Sequence, residues 1–331
     1  MSSFVAWFTS AIIYGTVIMY CALGELITEK SGHLNLGVPG MMYMGASAGF
    51  VSAFLYEKSA APNPVLMVLI PLLASFLFAA FGALLYSFFT VTLRANQNVT
   101  GLALTSLGAG IGSFISIFIL RKAGFFSYAK AGATSELYRA NLNSLLQLGN
   151  VGEMLISYGF LTYVAIILAI LLHFFLKKTR AGLNLRAIGE NPATADAAGI
   201  NVTKYKYLAT VLGGGICGLG GLYYIMVFKS GGWTTENSIQ ALGWLAVALV
   251  IFSTWKPLNV IWGSYLFAFL FWLYNYLPGV ANISFSTPVS DLVQMLPYVI
   301  TVLMLVITSR RKKRENQPPM SLGINYYRED R

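Results

Sequence analysis

Side chains able to carry out catalysis are scarce in this sequence of 331 residues. The two histidines, His33 and His173, lie far apart along the chain. The two cysteines, Cys21 and Cys217, lie within apolar segments, which is typical of small core residues rather than a disulfide or a metal pair. Neither an HExxH pair nor a GxxxxGK[ST] phosphate loop occurs. The sequence therefore disfavours a membrane enzyme and predicts that this chain does not hydrolyse ATP itself.

The most defined local signal is a short helix with two marked ends, in "RAIGENPATADAAGI" over residues 186–200. Asn191 is a good N-cap, and Pro192 follows at the first helical position, where its missing N–H has no cost. Gly199 stands where a left-handed C-terminal residue is expected. The small side chains between them predict a rigid contact element that another protein can approach closely. An ordinary capped loop helix is an equal alternative on these residues alone.

The elements that position this helix must be membrane helices, because only 10% of the residues are charged and 56% are hydrophobic. A soluble globular chain has about 25% charged residues. Nine segments contain no Asp, Glu, Lys or Arg: 1–24, 31–56, 59–93, 95–120, 154–176, 207–228, 237–255, 257–290 and 292–309. A bilayer crossing needs about 20 apolar residues. The fold class is therefore predicted as an all-α polytopic bundle with nine or ten transmembrane helices, in preference to a soluble fold or a membrane barrel.

The net charge of +10 is concentrated in two places, so it does not indicate a nucleic-acid partner. One group lies in loop 177–206 and the other directly follows the last apolar segment: Lys177, Lys178, Arg180, Arg186, Lys204 and Lys206, then Arg310, Arg311, Lys312, Lys313 and Arg314. This positive-inside pattern predicts a membrane domain over 1–309 with 177–206 in the cytoplasm and 121–153 outside. The tail 310–331 is predicted to be cytoplasmic, basic at first, then polar and disordered from 315.

A second irregular feature is the segment "GELITEKSGHLNLGVPGMMYMG" over residues 24–45. Three glycines and Pro39 interrupt an apolar run that also contains Asn35. Broken helices at membrane depth are tolerated where they face protein or a wet cavity, and in transporters they mark the substrate path. The sequence thus predicts a broken helix near 31–45, with a simple cytoplasmic loop as the alternative.

Three stretches resemble ABC-transporter permeases of the branched-chain amino acid, ribose and nucleoside group. They are "GELITEKSGHLNLGVPGMM", "NQNVTGLALTSLGAG" and "RAIGENPATADAAGINVTKYKYLATVLGGGICGLGGLYY", which cover much of 24–228 in the order of that family. The first two are similar to nucleoside and simple-sugar importer permeases, and the chain is similar to their shorter type. Pro39 departs from the acidic residue usual at its position in that family.

The resemblance implies that loop 177–206 couples the chain to separate ATPase subunits. The residues implied in coupling are Arg186, Glu190, Asn191, Pro192, Ala195, Asp196 and Gly199. It also implies an external substrate-binding lipoprotein and a second permease chain, in this branch a different and longer one. No cofactor is expected in this chain, since ATP and magnesium belong to the ATPase. The expected location is a bacterial plasma membrane, with a cytoplasmic C-terminus.

A nucleoside is the leading solute, and its path should offer aromatic rings and hydrogen-bonding amides. The candidates are Asn35, Tyr43, Asn98 and Thr100, each of which could equally be a polar residue that packs helices together. Ribose-like sugars and branched-chain amino acids remain alternatives within the family. An ion-coupled carrier or a channel is the alternative from another class, disfavoured because carboxylates are nearly missing from the apolar segments.

Overall fold

The computed structural model describes residues 3–124, 129–141, 152, 154, 156–233, 238–281, 287–296, 298–300, 302–303, 306 and 316–327. Within these residues the regular secondary structure is helical apart from two strands of two residues each, so the predicted all-α class is confirmed. The strands, β1 (Ala129–Lys130) and β2 (Gly232–Trp233), pair antiparallel with Ala129 opposite Trp233.

The helices follow one another with short connections and mostly capped starts. In the first half they are α1 (Ser3–Lys30), α2 (Val38–Glu57), α3 (Pro64–Ser87, continued by a π-helical turn Phe88–Thr92), α4 (Gln97–Lys122) and α5 (Gly132–Arg139). In the second half they are α6 (Phe160–Lys178), α7 (Arg180–Glu190), α8 (Pro192–Ala197), α9 (Val202–Tyr223, continued by Tyr224–Phe228), α10 (Ser238–Phe252), α11 (Pro257–Phe271), α12 (Leu273–Ala281) and α13 (Thr287–Gln294).

Six helices among the described residues are long and apolar enough to cross a membrane. They are α1, α2, α3, α4, α6 and α9, and a seventh crossing results if α11 and α12 count as one span bent by 64°. Helix α10 has 15 residues, fewer than a crossing needs. The last predicted span, 292–309, lies partly outside the described residues. The chain is therefore a multi-pass membrane protein.

Helix α1 lies at the centre of the bundle, where glycines allow it to approach α9 closely. A Cβ on Gly24 would overlap the carbonyl oxygen of Gly213, and a Cβ on Gly213 would overlap that of Gly24. Small residues at such crossings let two backbones meet without a side chain between them. Cys21 and Cys217 are buried at the same contact and remain free thiols, as predicted.

The connections divide between two ends of the bundle. One, which we call the basic end, comprises residues 30–37, 93–96, 179–201, 253–256 and 316–327, joined by direct contacts and hydrogen bonds. The opposite end comprises residues 57–63, 131–139 and 229–233, where Glu57 accepts from the backbone N–H of Ala133. Because α1 ends at the basic end, its first residue lies at the opposite end, a point that the charges alone did not settle.

The interruption near 31–45 is a seven-residue link between two continuous helices. Residues 31–37 turn at Gly32, whose φ is +85°, and are mostly buried. Helix α2 then accommodates Pro39 and Gly40 in its first turn, where a missing N–H has no cost. The break of a helix that does occur lies between α11 and α12.

Candidate functional site

The short helix α8 has the two ends that the sequence predicts. The Asn191 side chain accepts a hydrogen bond from the backbone N–H of Thr194 at 3.0 Å, and Pro192 opens the helix. Gly199 has a φ of +81°, and the N–H of Ile200 reaches back to the carbonyl of Ala195 at 3.0 Å. These bonds close both ends of a helix that is too short to be stable by itself.

The residues implied in coupling divide into an outward and an inward group. Arg186, Glu190, Asn191 and Gly199 are exposed, and Pro192 and Asp196 are half-buried. Ala195 is buried.

Ala195 packs with Ile188 of α7 and Val202 of α9 in a small apolar cluster separate from the main core. Ala195 therefore anchors α8 to its neighbours, while the outward group faces away from the bundle. Such an arrangement can transmit a displacement of α8 to α7 and α9.

Residues 316–327, which we call the strap, cross the basic end. Asn316 accepts a hydrogen bond from Lys256 at 2.7 Å, and Ser321 donates from both its N–H and its hydroxyl to the carbonyl of Gly189. The N–H of Gly323 donates to the carbonyl of Gly32 at 3.2 Å. Composition predicted a disordered tail, and this prediction is wrong for these residues because their polar groups find specific backbone partners.

The strap also holds α8 directly. The hydroxyl of Tyr326 donates to Asp196 Oδ2 at 2.8 Å. The guanidinium of Arg94 lies over the ring of Tyr327, with the Cζ atom 4.7 Å from its centre. The strap thereby connects α8 with the turn between α3 and α4.

Gln97 is a polar residue of the basic end that sequence reasoning did not single out. Its side chain is buried, accepts from the N–H of Leu34 at 2.8 Å and donates to Asn325 Oδ1 at 3.0 Å. Asn325 in turn donates to the carbonyls of Arg94 and Ala95. The signal available in the sequence was its place in "NQNVTGLALTSLGAG", directly before Asn98, which was proposed instead.

Two carboxylates, Glu25 and Glu29, are buried in the last turns of α1. Glu25 accepts from the N–H of Asn35 at 3.1 Å, and Glu29 accepts from the indole N–H of Trp255. The charge-free segment 1–24 had suggested a helix that ends before these residues. Inside the helix, Glu25 supplies a buried acceptor for a backbone N–H of the link 31–37, and Glu29 supplies one for a side chain of the turn before α11.

Of the four residues predicted to line a substrate path, Asn35 and Tyr43 are buried in the bundle. The amide oxygen of Asn35 accepts from the N–H of Gly37 at 2.9 Å, and its amide nitrogen lies 3.5 Å from the sulfur of Met41. Tyr43 accepts from the hydroxyl of Ser113 at 2.9 Å. The Asn35 amide is thus occupied within the chain.

The other two path candidates, Asn98 and Thr100, lie in the first turn of α4 near the basic end. Asn98 is exposed and Thr100 is half-buried. The Thr100 hydroxyl donates to the carbonyl of Asn96 at 2.8 Å, a local helix bond. The structure therefore does not bring these two residues together with Asn35 and Tyr43 around one cavity.

Trp233, the last residue of β2, is buried against α2. The ring of Trp233 stacks on Phe50, with ring centres 5.3 Å apart, and meets the edge of Tyr43 at 5.7 Å. Gly243 of α10 lies against Pro39 in the first turn of α2. Since Gly243 is five residues into α10, that helix begins within about 8 Å, along its axis, of the level of Pro39. Residues 234–237, between β2 and α10, lie outside the described residues.

Comparison with known proteins bears on this architecture. Residues 7–307 match the family described as the permease component of branched-chain amino acid transport systems. The chain is 34% identical over 269 residues to TsgC13 of Haloferax volcanii, a candidate glucose ABC transporter permease protein, covering 81% of this chain and 77% of that one. No solved structure matches this chain.

Two further relatives carry the word nucleoside or guanosine in their names. The nucleoside ABC transporter permease protein NupC of Lactococcus lactis is 29% identical over 323 residues, 95% of this chain and 94% of that one. The guanosine ABC transporter permease protein NupQ of Bacillus subtilis is 29% identical over 307 residues, 89% of each chain. With the matched region spanning nearly the whole membrane bundle, the chain belongs to the family of ABC-transporter permease components that includes those of branched-chain amino acid transport systems.

Proposed function

We propose that the chain is one permease subunit of an ATP-driven importer of nucleosides. The observation that carries this proposal is the presentation of α8: its exposed residues face outward, while Ala195 and the Tyr326 hydroxyl hold it from behind. This is the geometry that a coupling helix requires. The similarity to NupC and NupQ over about nine-tenths of the chain supports nucleosides as the solute.

The energy source lies outside this chain in our proposal. The sequence contains no GxxxxGK[ST] loop, so ATP and magnesium belong to a separate ATPase subunit docked on α7 and α8. The basic end, with loop 177–206, faces the cytoplasm according to the positive-inside rule. The complex lies in the plasma membrane, with the strap on the cytoplasmic side.

The remaining partners are a second permease chain and a substrate-binding lipoprotein. Exposed apolar side chains along α3, α4 and α6 leave ample surface for a second permease or for lipid. The lipoprotein docks at the opposite end, where α5 and the connection after α9 lie. The second permease is the longer, different chain that the resemblance implies.

For the solute path we infer that Tyr43 and Trp233 contribute aromatic surface. Both rings are buried at α2 and meet edge to face, with ring centres 5.7 Å apart, and small-molecule sites are lined mainly by apolar and aromatic side chains. Among the described residues, the buried indole N–H of Trp233 has no hydrogen-bond partner, and such orphaned donors need an explanation. A nucleoside offers both a flat base to stack and acceptors for that N–H.

The solute is tested by uptake into proteoliposomes that contain the chain and its copurifying subunits. Labelled guanosine should accumulate in an ATP-dependent manner, and unlabelled nucleosides should compete. Glucose is the second candidate, because TsgC13 is the relative with 34% identity. Competition by glucose, leucine or isoleucine in place of nucleosides would reassign the solute and leave the permease role intact.

The coupling role is tested by Glu190→Lys and Gly199→Val. The first reverses an exposed charge beside α8, and the second forces a β-branched residue into a left-handed conformation. Both should lower nucleoside uptake per ATP hydrolysed while the chain remains inserted. Lys130→Glu, a charge reversal at the opposite end, is the matched control. Wild-type uptake ratios in both variants would remove α8 from the coupling surface.

The path assignment is tested by Trp233→Phe, which keeps an aromatic ring and removes the N–H. Loss of one hydrogen bond to the solute corresponds to about 0.5–1.5 kcal/mol, or roughly two- to tenfold in the apparent affinity for guanosine. Unchanged uptake kinetics would exclude a role for this N–H in solute binding.

A further inference from the structure

A cavity of about 640 Å³ lies at the basic end, between the last turn of the α3 segment, the start of α9 and the strap. This volume is within the range of small-molecule sites, roughly 300–1,000 Å³. Its lining includes Arg94, Asp196, Lys204, Lys206 and Tyr326. Of these residues, only Asp196 and Tyr326 also take part in the proposed coupling surface, through the hydrogen bond that holds α8 to the strap.

The charges around the cavity are predominantly positive. Three cations, Arg94, Lys204 and Lys206, face one carboxylate, Asp196, which already accepts from Tyr326. His33 also lines the cavity, and burial together with the nearby Lys206 lowers the pKa of His33 well below its ordinary value, so the imidazole is neutral. The first turn of α9 borders the same space, and the positive end of a helix favours anions.

Lys206 is the residue that most requires an anion. Its side chain is 3% exposed, and among the described residues its ammonium has neither a hydrogen bond nor an ion pair. An isolated charge removed from water is unfavourable unless it is paired. The cavity therefore contains a buried cation whose counterion does not come from the described part of the chain.

The surroundings indicate where the anion comes from. Large apolar side chains are exposed on both helices that flank the cavity, Phe89 and Leu93 after α3 and Leu208 and Leu212 on α9. Between them the hydroxyls of Thr92 and Tyr207 meet at 2.5 Å, and tyrosine is typical of the membrane–water interface. An amphiphile could place its acyl chains on the apolar side chains and its headgroup in the cavity.

We propose that this cavity is a binding site for the phosphate group of an anionic phospholipid. The phosphate pairs with Lys206 and is approached by Arg94 and Lys204. Basic pockets between membrane helices on the cytoplasmic side are suited to such headgroups. The site would fix the relative position of α3, α9 and the strap next to the proposed coupling helix. It does not depend on which solute is transported.

The experiment uses the full-length chain in detergent with any subunits that copurify. Its thermal unfolding is followed in mixed micelles with increasing phosphatidylglycerol, with phosphatidylcholine and inorganic phosphate as separate arms. Phosphatidylglycerol should raise the unfolding temperature in a saturable manner, and phosphatidylcholine should not. Lys206→Met, which keeps the side-chain length and removes the charge, should weaken the apparent affinity for phosphatidylglycerol by about five- to tenfold.

Lys178→Met is the matched control, because Lys178 is exposed at the same end and does not line the cavity. It should respond to phosphatidylglycerol as the wild type does. If Lys206→Met does not fold, Lys204→Met takes its place in the test, and it too should weaken the apparent affinity for phosphatidylglycerol. Equal stabilisation of the variant and the wild type, or equal effects of the two lipids, would overturn the proposal. If inorganic phosphate alone raised the unfolding temperature as far as phosphatidylglycerol does, the phosphate group bound in the cavity would not have to come from a lipid, and the lipid assignment would be overturned.

Discussion

The bond between Tyr326 and Asp196 provides the sharpest test of the strap. Tyr326→Phe removes the hydroxyl that donates to Asp196 Oδ2 at 2.8 Å and changes nothing else in the ring. Hydrogen bonds to charged groups contribute about 1.5–3 kcal/mol, and since both residues are half-buried we expect the lower value. A loss of about 1.4 kcal/mol corresponds to a tenfold change in an equilibrium constant. The detached state of the strap should therefore become about tenfold more populated.

Hydrogen exchange followed by mass spectrometry measures that population. The N–H groups of Ser321 and Gly323 are bonded to carbonyls of other elements, so they exchange only when the strap detaches. Peptides that contain them should exchange about tenfold faster in Tyr326→Phe.

Tyr327→Phe is the matched control, because it keeps the ring that lies under Arg94. Wild-type exchange in Tyr326→Phe, or equal acceleration in the control, would refute the idea that this bond holds the strap.

Three further predictions concern topology, packing and pH. A cysteine at position 180 should react with impermeant thiol reagents only from the cytoplasm and one at 133 only from outside; reaction of both from one side contradicts the assignment of the two ends. Gly24→Ala should abolish folded yield in size-exclusion profiles, because a Cβ there overlaps α9, whereas Gly110→Ala, with open space around it, should not. His33 has a lowered pKa in the folded protein, so its contribution to stability should be complete above about pH 6.5 and lost as the pH falls below that value. His33→Gln should flatten that loss in thermal unfolding curves, and identical slopes would refute it.

The parts of the fold that the sequence predicted are those set by local chemistry. Charge-free lengths marked the membrane helices because a charge is costly inside the bilayer. Asn191, Pro192 and Gly199 marked the ends of α8 because capping depends on neighbouring backbone groups only. These features require no knowledge of which helices become neighbours.

The parts that the sequence did not predict depend on distant partners. The strap is ordered by carbonyls of residues far away in the chain, such as Gly32 and Gly189, and composition does not report such partners. Trp233 belongs to the two-residue strand β2, yet its ring lies beside the middle of α2. The four predicted path residues do not line one cavity, for the same reason. Their ability to form hydrogen bonds could be read from the sequence, but their positions relative to one another depend on how the helices pack.

The buried carboxylates of α1 bear on the alternative of an ion-coupled carrier. Their near absence from the apolar segments was the argument against such a carrier, and Glu25 and Glu29 weaken that argument because both lie within a helix that spans the bundle. Their bonds to Asn35 and Trp255, however, tie the link 31–37 and the turn before α11 to the end of α1. Two carboxylates that each hold one connection at the basic end are in the right place to transmit movement between helices. The case for an ATP-driven transporter therefore rests on the family and on α8, and the two carboxylates fit it as parts of the bundle that must move together when α8 is displaced.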